Sequence, residues 1–176
     1  MNEIFEKYGI ILTEDQEKKL DKFYNILIEY NNKFNLTAIT EKQEVYIKHF
    51  VDSLLTKEVI NGDKFIDVGS GGGFPAIPLK IVKENAEFTL LDATNKKCEY
   101  LKDASKMLGL EKVSVVFGRA EELGRDEKYR EKFDVCTARA VASLDILAEY
   151  CLPFVKVGGV FVSYKGDAEE EIKKAV

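Results

Sequence analysis

Cysteine is scarce in this 176-residue chain, and its placement is uninformative for thiol chemistry. Cys98, Cys136 and Cys151 are odd in number, lie 38 and 15 residues apart and form no C-x-x-C. That pattern excludes a disulfide framework and a thiolate metal site, and it points to a reducing compartment. No apolar run reaches the roughly 18 residues that a membrane helix requires. The opening MNEIFEKYGI lacks the cationic flank and apolar stretch of a signal peptide, so a cytoplasmic protein is expected, with no metal and no membrane partner. A basic excess is missing too: 26 Lys+Arg stand against 31 Asp+Glu, for a net charge of -5. Residues 1–62 hold 11 acids and 8 bases and residues 63–176 hold 20 and 18, so neither part is a basic tail. An anionic partner would have to be met by a local cluster. What remains, 45% apolar and 32% charged residues, is the composition of an ordinary globular chain. At this length about 70% of the unfolded surface can be buried in one core.

Two periodicities divide the sequence near residue 62. In the first part Thr13 and Gln16 form a capping box, and Leu20, Phe23, Tyr24, Leu27 and Ile28 share one helical face. Thr40 and Gln43 repeat the capping signal ahead of a second stripe, Ile47, Phe50, Val51, Leu54 and Leu55, which Asn61-Gly62 ends. From residue 64 short apolar runs alternate with helical stretches. Strands are expected at 64–68, 88–92, 113–117, 133–137 and 160–164, and helices at 76–83, 96–108 and 141–152. Strands recurring every 20 to 27 residues with helices between them mean parallel βαβ units. Right-handed crossovers make these a Rossmann-like, doubly wound α/β sheet. The expected organisation is a helical cap over 1–62 and an α/β domain over 63–176.

In such a sheet, ligands bind beyond the carboxyl ends of the strands. After the first strand, Asp67-Val-Gly69-Ser-Gly71-Gly-Gly73-Phe74-Pro75 places four glycines in five positions, so the backbone can turn sharply against a ligand. Asp92 closes the second strand, 19 residues past Gly73, where an acid reaches the hydroxyls of a ribose. Dinucleotide and S-adenosylmethionine enzymes share this arrangement. Asp67 separates them, because a carboxylate at the base of the loop repels a pyrophosphate and attracts an ammonium or sulfonium. Basic residues also follow four of the five strands. Lys96, Lys97, Arg119, Arg139 and Lys165 thereby form a rim suited to phosphates on an acidic protein. No Asp/Asn-Pro-Pro-aromatic run and no Pro-Cys nucleophile is present, so an acceptor with no proton to lose, such as a purine ring nitrogen, fits best, with positioning supplying most of the rate. His49 and Asp52 lie one helical turn apart, and a structural or RNA-facing contact is expected of His49.

These stretches resemble the glucose-inhibited division protein B family, small-subunit ribosomal RNA guanine-N7 methyltransferases. The matching segments are Asn32–Ile39 (NKFNLTAI), His49–Leu54 (HFVDSL), Ile66–Pro75 (IDVGSGGGFP), Leu91-Asp92 with Lys96-Lys97, Gly118–Glu121 (GRAE), Thr137–Ala140 (TARA) and Lys165-Gly166. The resemblance implies a class I methyltransferase fold with an N-terminal helical cap, S-adenosylmethionine as cofactor, and methylation of N7 of one guanine in the 530 loop of 16S ribosomal RNA, free or in the small subunit, by a monomer. By position it implies that Gly69 and Phe74 meet the methionine part of the cofactor, with Asp67, Gly71 and Gly73 in the same loop. Asp92 takes the ribose, Ala120 and Glu121 border the adenine, and Arg139 completes the site as its catalytic residue. Lys96, Lys97, Arg119 and Lys165 are left to the RNA. The family's Pro-Gly-Ile-Pro is here Pro75-Ala-Ile-Pro78. Members continue beyond Lys165-Gly166 through a helix and an antiparallel strand pair, whereas this sequence ends at Val176, so an open sheet edge is expected. Three other readings remain open: a small-molecule methyltransferase, a non-catalytic binding module of the same fold, and a nicotinamide enzyme.

Overall fold

A computed structural model describes residues 2–139 and 143–165. The helical elements of the N-terminal segment are α1 (Asn2–Glu6), α2 (Glu14–Asn31), α3 (Lys42–Val45), a π-helical turn (Tyr46–Val51) and α4 (Asp52–Leu54). Then follow β1 (Lys64–Val68), α5 (Ala76–Val82), β2 (Glu87–Asp92), α6 (Asn95–Met107), β3 (Val113–Phe117), α7 (Ala120–Leu123), β4 (Phe133–Arg139), α8 (Leu144–Cys151), a 3-10 turn (Leu152–Phe154) and β5 (Val155–Tyr164). The strands form one sheet in the order β3-β2-β1-β4-β5, every neighbouring pair parallel. The strand order reverses between β1 and β4, the place where such sheets open a crevice for ligands.

The capping box on α2 forms as expected: Thr13 Oγ1 accepts from Gln16 N (3.3 Å), and Gln16 Oε1 accepts from Thr13 N (3.0 Å). The second helix differs from expectation. Its N-cap is Glu41, whose carboxylate accepts from Glu44 N (2.8 Å), and the helix widens into the π turn. The reason is positional. A carboxylate one residue nearer the helix is already in reach of the orphan amide and carries a charge that favours a helix N-terminus. β5 starts at Val155, five residues earlier than the apolar run indicates, because its pairing with β4 is broken by a register irregularity around Phe133 and Val135. The expected helix start at Val141 lies outside the described residues.

One core joins the helical segment to the sheet. Leu20, Phe23, Leu27, Phe50 and Leu54 are buried in the same cluster as Phe65, Phe74, Ile77 and Phe88. α7 and α8 cover the opposite face, over Ile66, Val68, Leu91, Cys136 and Ala138. Phe74 is the hinge of the packing, with ring centroids 5.3 Å from Phe23 and 5.9 Å from Phe50. Tyr164, at the end of β5, ties the other side: its hydroxyl donates to Ser53 O (3.1 Å) and meets Thr56 Oγ1.

Gly73 belongs to this interface. Its φ is +90°, and a Cβ there would lie 2.6 Å from Ile77 Cδ1 and 3.1 Å from Phe23 Cζ, both buried. Gly73→Ala therefore combines backbone strain with overpacking and is expected to cost about 3 kcal/mol. For a chain of this size that is roughly a 6–12 °C fall in melting temperature, checked by calorimetric or circular-dichroism melting. An unchanged melting temperature would remove Gly73 from the packing argument.

Candidate functional site

The glycine loop leaves the end of β1 at the crevice. Gly69 and Gly71 adopt φ of +73° and +50°, which lets the chain fold back so that Gly69 N and Ser70 N both donate to Leu91 O (2.8 and 3.0 Å). Asp92 fixes the loop from the neighbouring strand: Oδ2 accepts from Gly71 N (2.9 Å) and Oδ1 from Thr94 N (2.8 Å). Each carboxylate oxygen keeps a further lone pair, so Asp92 holds the loop and still has acceptor capacity. Tyr100 supports the loop from below, its hydroxyl donating to Gly72 O (3.1 Å).

Above this loop is a groove of about 460 Å³, lined by Leu36, Thr37, His49, Gly69, Ser70, Gly71, Gly72, Phe74, Asp92, Ala93, Lys97 and Arg139. It shares Gly69, Asp92 and Ala93 with a second recess of about 210 Å³ lined by Gly118, Arg119, Ala120, Glu121 and Tyr150. The two make one elongated cleft over the ends of β1, β2 and β3. Seven of the residues singled out by sequence line the cleft directly: Gly69, Gly71, Phe74, Asp92, Ala120, Glu121 and Arg139. Lys97 and Arg119 stand at its rim. Gly73 faces Phe23 and Ile77 instead of the cleft, Lys96 is exposed on α6 outside it, and Lys165, half-buried after β5, lines neither recess.

Asp67 lies beneath the loop, only 1% exposed. Thr137 Oγ1, its neighbour across the β1–β4 ladder, donates to Oδ1 at 2.6 Å, while Oδ2 is buried without a hydrogen-bond partner among the described residues. Burial dominates the thermodynamics of this carboxyl and pushes its pKa up to about 7, against the opposing hydrogen bond from Thr137. At pH 7 this carboxyl is about half ionised, and only its ionised form attracts a cation and repels a pyrophosphate. Asp67 sits beneath the loop and lines neither recess directly.

The outer wall is a cluster around Arg139, the last residue of β4. Its guanidinium stacks on the Phe74 ring (4.9 Å to the centroid). Nη1 donates to Asp52 Oδ2 (3.3 Å) and to Lys48 O (3.5 Å), and Nη2 points at His49 Nδ1 (3.1 Å). His49 stacks on the other part of Phe74, with centroids 4.5 Å apart, and its Nε2 lies 2.9 Å from Thr37 Oγ1. Burial, reinforced by the Arg139 charge, lowers the His49 pKa to about 4, so the imidazole is neutral near pH 7. The π turn and α4 bring His49 and Asp52 onto the same side, but Asp52 pairs with Arg139 and does not orient the imidazole.

The sequence profile of the family described as GidB, rRNA small subunit methyltransferase G, matches residues 16–175. The chain belongs to this family. Among relatives of this chain, the ribosomal RNA small subunit methyltransferase G of Caldanaerobacter subterraneus is 52% identical over 167 residues, 93% of this chain and 70% of that protein. The Brevibacillus brevis protein of the same name is 47% identical, over 99% and 76% of the two chains. Solved structures support the fold alone. A SAM dependent methyltransferase from Aquifex aeolicus superposes with a TM-score of 0.53 at 21% identity, covering 72% of this chain and 74% of that one. A SAM-dependent O-methyltransferase from Thermotoga maritima reaches 0.55 at 19% identity over 85% and 53%. With its parallel five-stranded sheet, the chain has the Rossmann-like class I methyltransferase fold.

The sequence pattern assigns Leu36, Thr37, Ser70 and Tyr150 no role in the cleft, and it leaves His49 without a partner there. Ser70 sits inside the glycine run. The signal for Thr37 and His49 is in the Asn-Leu-Thr and His-x-x-Asp-Ser-Leu segments themselves, the first in the connector between α2 and α3 and the second in the π turn and α4. Their convergence on Phe74 is a tertiary event that spacing does not encode.

Proposed function

We propose that this protein methylates N7 of a guanine in 16S ribosomal RNA, free or within the small ribosomal subunit, in the cytoplasm, with S-adenosylmethionine as the methyl donor. The observation that carries this reading is the unpartnered Asp67 oxygen beneath the glycine loop, in a chain of the rRNA small subunit methyltransferase G family. The residues present fit the donor. Asp67 accepts its ammonium, Gly69, Gly71 and Phe74 hold its methionine part, Asp92 takes ribose hydroxyls with its remaining lone pairs, and Ala120 and Glu121 border the adenine. S-adenosylmethionine would supply a methyl group on a sulfonium: as the in-plane lone pair of guanine N7 forms the new bond to the methyl carbon, the sulfur–methyl bond breaks and its electron pair stays on the departing thioether, with no proton to remove. The chain accordingly provides no general base and works by positioning and by excluding water. Arg139 is the catalytic residue. Pinned on Phe74 by Asp52 and His49, it presents its remaining N–H groups to the cleft, while Lys96, Lys97, Arg119 and Lys165 meet RNA phosphates at the rim. In this reading residues 1–62 act as a cap on the cleft and residues 63–176 carry the cofactor.

The test is mass mapping of nucleosides in 16S ribosomal RNA from cells with and without the gene, together with methylation by the purified protein. A 7-methylguanine that appears only when the protein is present is the expected result, with RNA affinity falling steeply as salt is added. Ribosomal RNA with unchanged modification, alongside methylation of a small molecule, would overturn it.

A further inference from the structure

The Asn-Leu-Thr segment forms a small device of its own at the mouth of the groove. Asn31 Oδ1 accepts from both Leu36 N (2.8 Å) and Thr37 N (3.0 Å), fixing the backbone. The segment lies against the glycine loop, since a Cβ on Gly72 would be 3.6 Å from Leu36 O. Two groups compete for His49 Nδ1, both at 3.1 Å: Arg139 Nη2–H, which can only donate, and Lys48 O, which can only accept. In the tautomer that satisfies Arg139, Nδ1 carries the lone pair and Nε2 the proton. In that tautomer Lys48 O is served by Arg139 Nη1–H (3.5 Å), whereas the opposite tautomer bonds Nδ1–H to Lys48 O (3.1 Å) and makes Nε2 an acceptor for the Thr37 hydroxyl. With the proton on Nε2, Nε2–H donates to Thr37 Oγ1 at 2.9 Å. Ile39 N–H donates to the same oxygen at 3.0 Å. With both lone pairs taken by incoming donors, the Thr37 hydroxyl proton has neither neighbour to bond and is free to point into the groove that Thr37 lines.

We propose that Thr37 is a fixed hydrogen-bond donor to the reactants, with His49 as its positioning residue, and that it serves an acceptor oxygen on one of them. That oxygen is either guanine O6, adjacent to N7, or the cofactor carboxylate. The identity of these two candidates rests on the methyl-transfer reading above; the direction of the proton does not. A donor aimed at O6 distinguishes guanine from adenine, which presents an amino group at that position, so one of the two outcomes makes Thr37 a specificity determinant.

Two measurements on the full chain decide it. Because His49 is the only histidine in the sequence, ¹⁵N-labelled histidine gives a single unambiguous imidazole spectrum. The expected signature near neutral pH is the Nε2–H tautomer; an Nδ1–H tautomer overturns the proposal. The second measurement compares Thr37→Val, which keeps the shape and loses the hydroxyl, with Thr37→Ser, which restores it. Thermal melting of both variants verifies the fold. Loss of about 5- to 50-fold in S-adenosylmethionine affinity by calorimetry, recovered in Thr37→Ser, assigns the cofactor carboxylate. A loss of similar size in kcat/KM for ribosomal RNA with cofactor affinity unchanged assigns guanine O6. No change in either quantity overturns the donor role. If the unmodified protein binds the cofactor but methylates no ribosomal RNA, the function proposed above fails, while the histidine spectrum and the calorimetry still judge Thr37.

Discussion

Arg139→Ala is expected to abolish methylation, with kcat lowered by about 10²–10³ and the fold retained. The magnitude is that of losing one preorganised donor from a catalytic site. Arg139 is 16% exposed at its side chain, stacked on Phe74 and bonded to Asp52, Lys48 O and His49, so its position is set before any ligand arrives. Retention of the fold follows from what its removal leaves behind. The Asp52 side chain is 45% exposed and recovers water, so no charge is stranded in the core. The melting temperature should then fall by no more than a few degrees. Arg139→Lys should fail to restore activity, because an ammonium cannot span Asp52 and His49 while stacking on an aromatic face. Steady-state kinetics on 16S ribosomal RNA and melting curves check both variants. Full activity in Arg139→Ala would take Arg139 out of the mechanism.

The second large effect concerns Asp67, where stability and binding should move in opposite directions. The unfolded chain holds this proton only below about pH 3.8, whereas in the folded chain burial raises the pKa to about 7. Between those values the folded state binds more protons, so stability falls as pH rises through the window, by on the order of 1.4 kcal/mol for each pH unit. Asp67→Asn removes that penalty and should raise the melting temperature at pH 8. Cofactor binding responds inversely, since only the ionised carboxylate attracts an ammonium. With a pKa of about 7, S-adenosylmethionine should bind about eightfold more tightly at pH 7.5 than at pH 6, the ratio set by the ionised fraction. Asp67→Asn should bind weakly and without that pH dependence. Calorimetric titrations at the two pH values test this, and a variant with undiminished affinity would show that the orphan oxygen serves no ligand.

How much of this was legible in the sequence differs from element to element. β1 (KFIDV) and β3 (VSVVF) appear at their expected residues because short stretches rich in β-branched and aromatic residues, set between turn signals, read as strands. The Thr13 capping box forms because both of its partners are local. The glycine loop and Asp92 were legible as neighbours at the crevice, but the bond from Gly71 N to Asp92 was not. α1 and the π turn carry no sequence signal beyond ordinary apolar spacing, and an extra residue in one helical turn costs too little to leave a compositional trace. The Thr37–His49–Arg139 chain was the least legible part. Its links span 12 and 90 positions and exist only once Phe74 has been enclosed from both sides. Each residue alone looks like an ordinary surface polar group.

The shared packing of Phe23, Phe50 and Phe74 also bears on how the chain is made. The helical segment leaves the ribosome first, yet the surface it covers belongs to the glycine loop and α5, which are synthesised tens of residues later. During that interval α2 carries an apolar stripe with nothing to cover it, a state prone to self-association and a natural client for holdase chaperones. Completion of the first βα unit thus ends the most vulnerable period of the nascent polypeptide. The ring that lines the cleft in the mature protein is also the one that allows the early helices to settle.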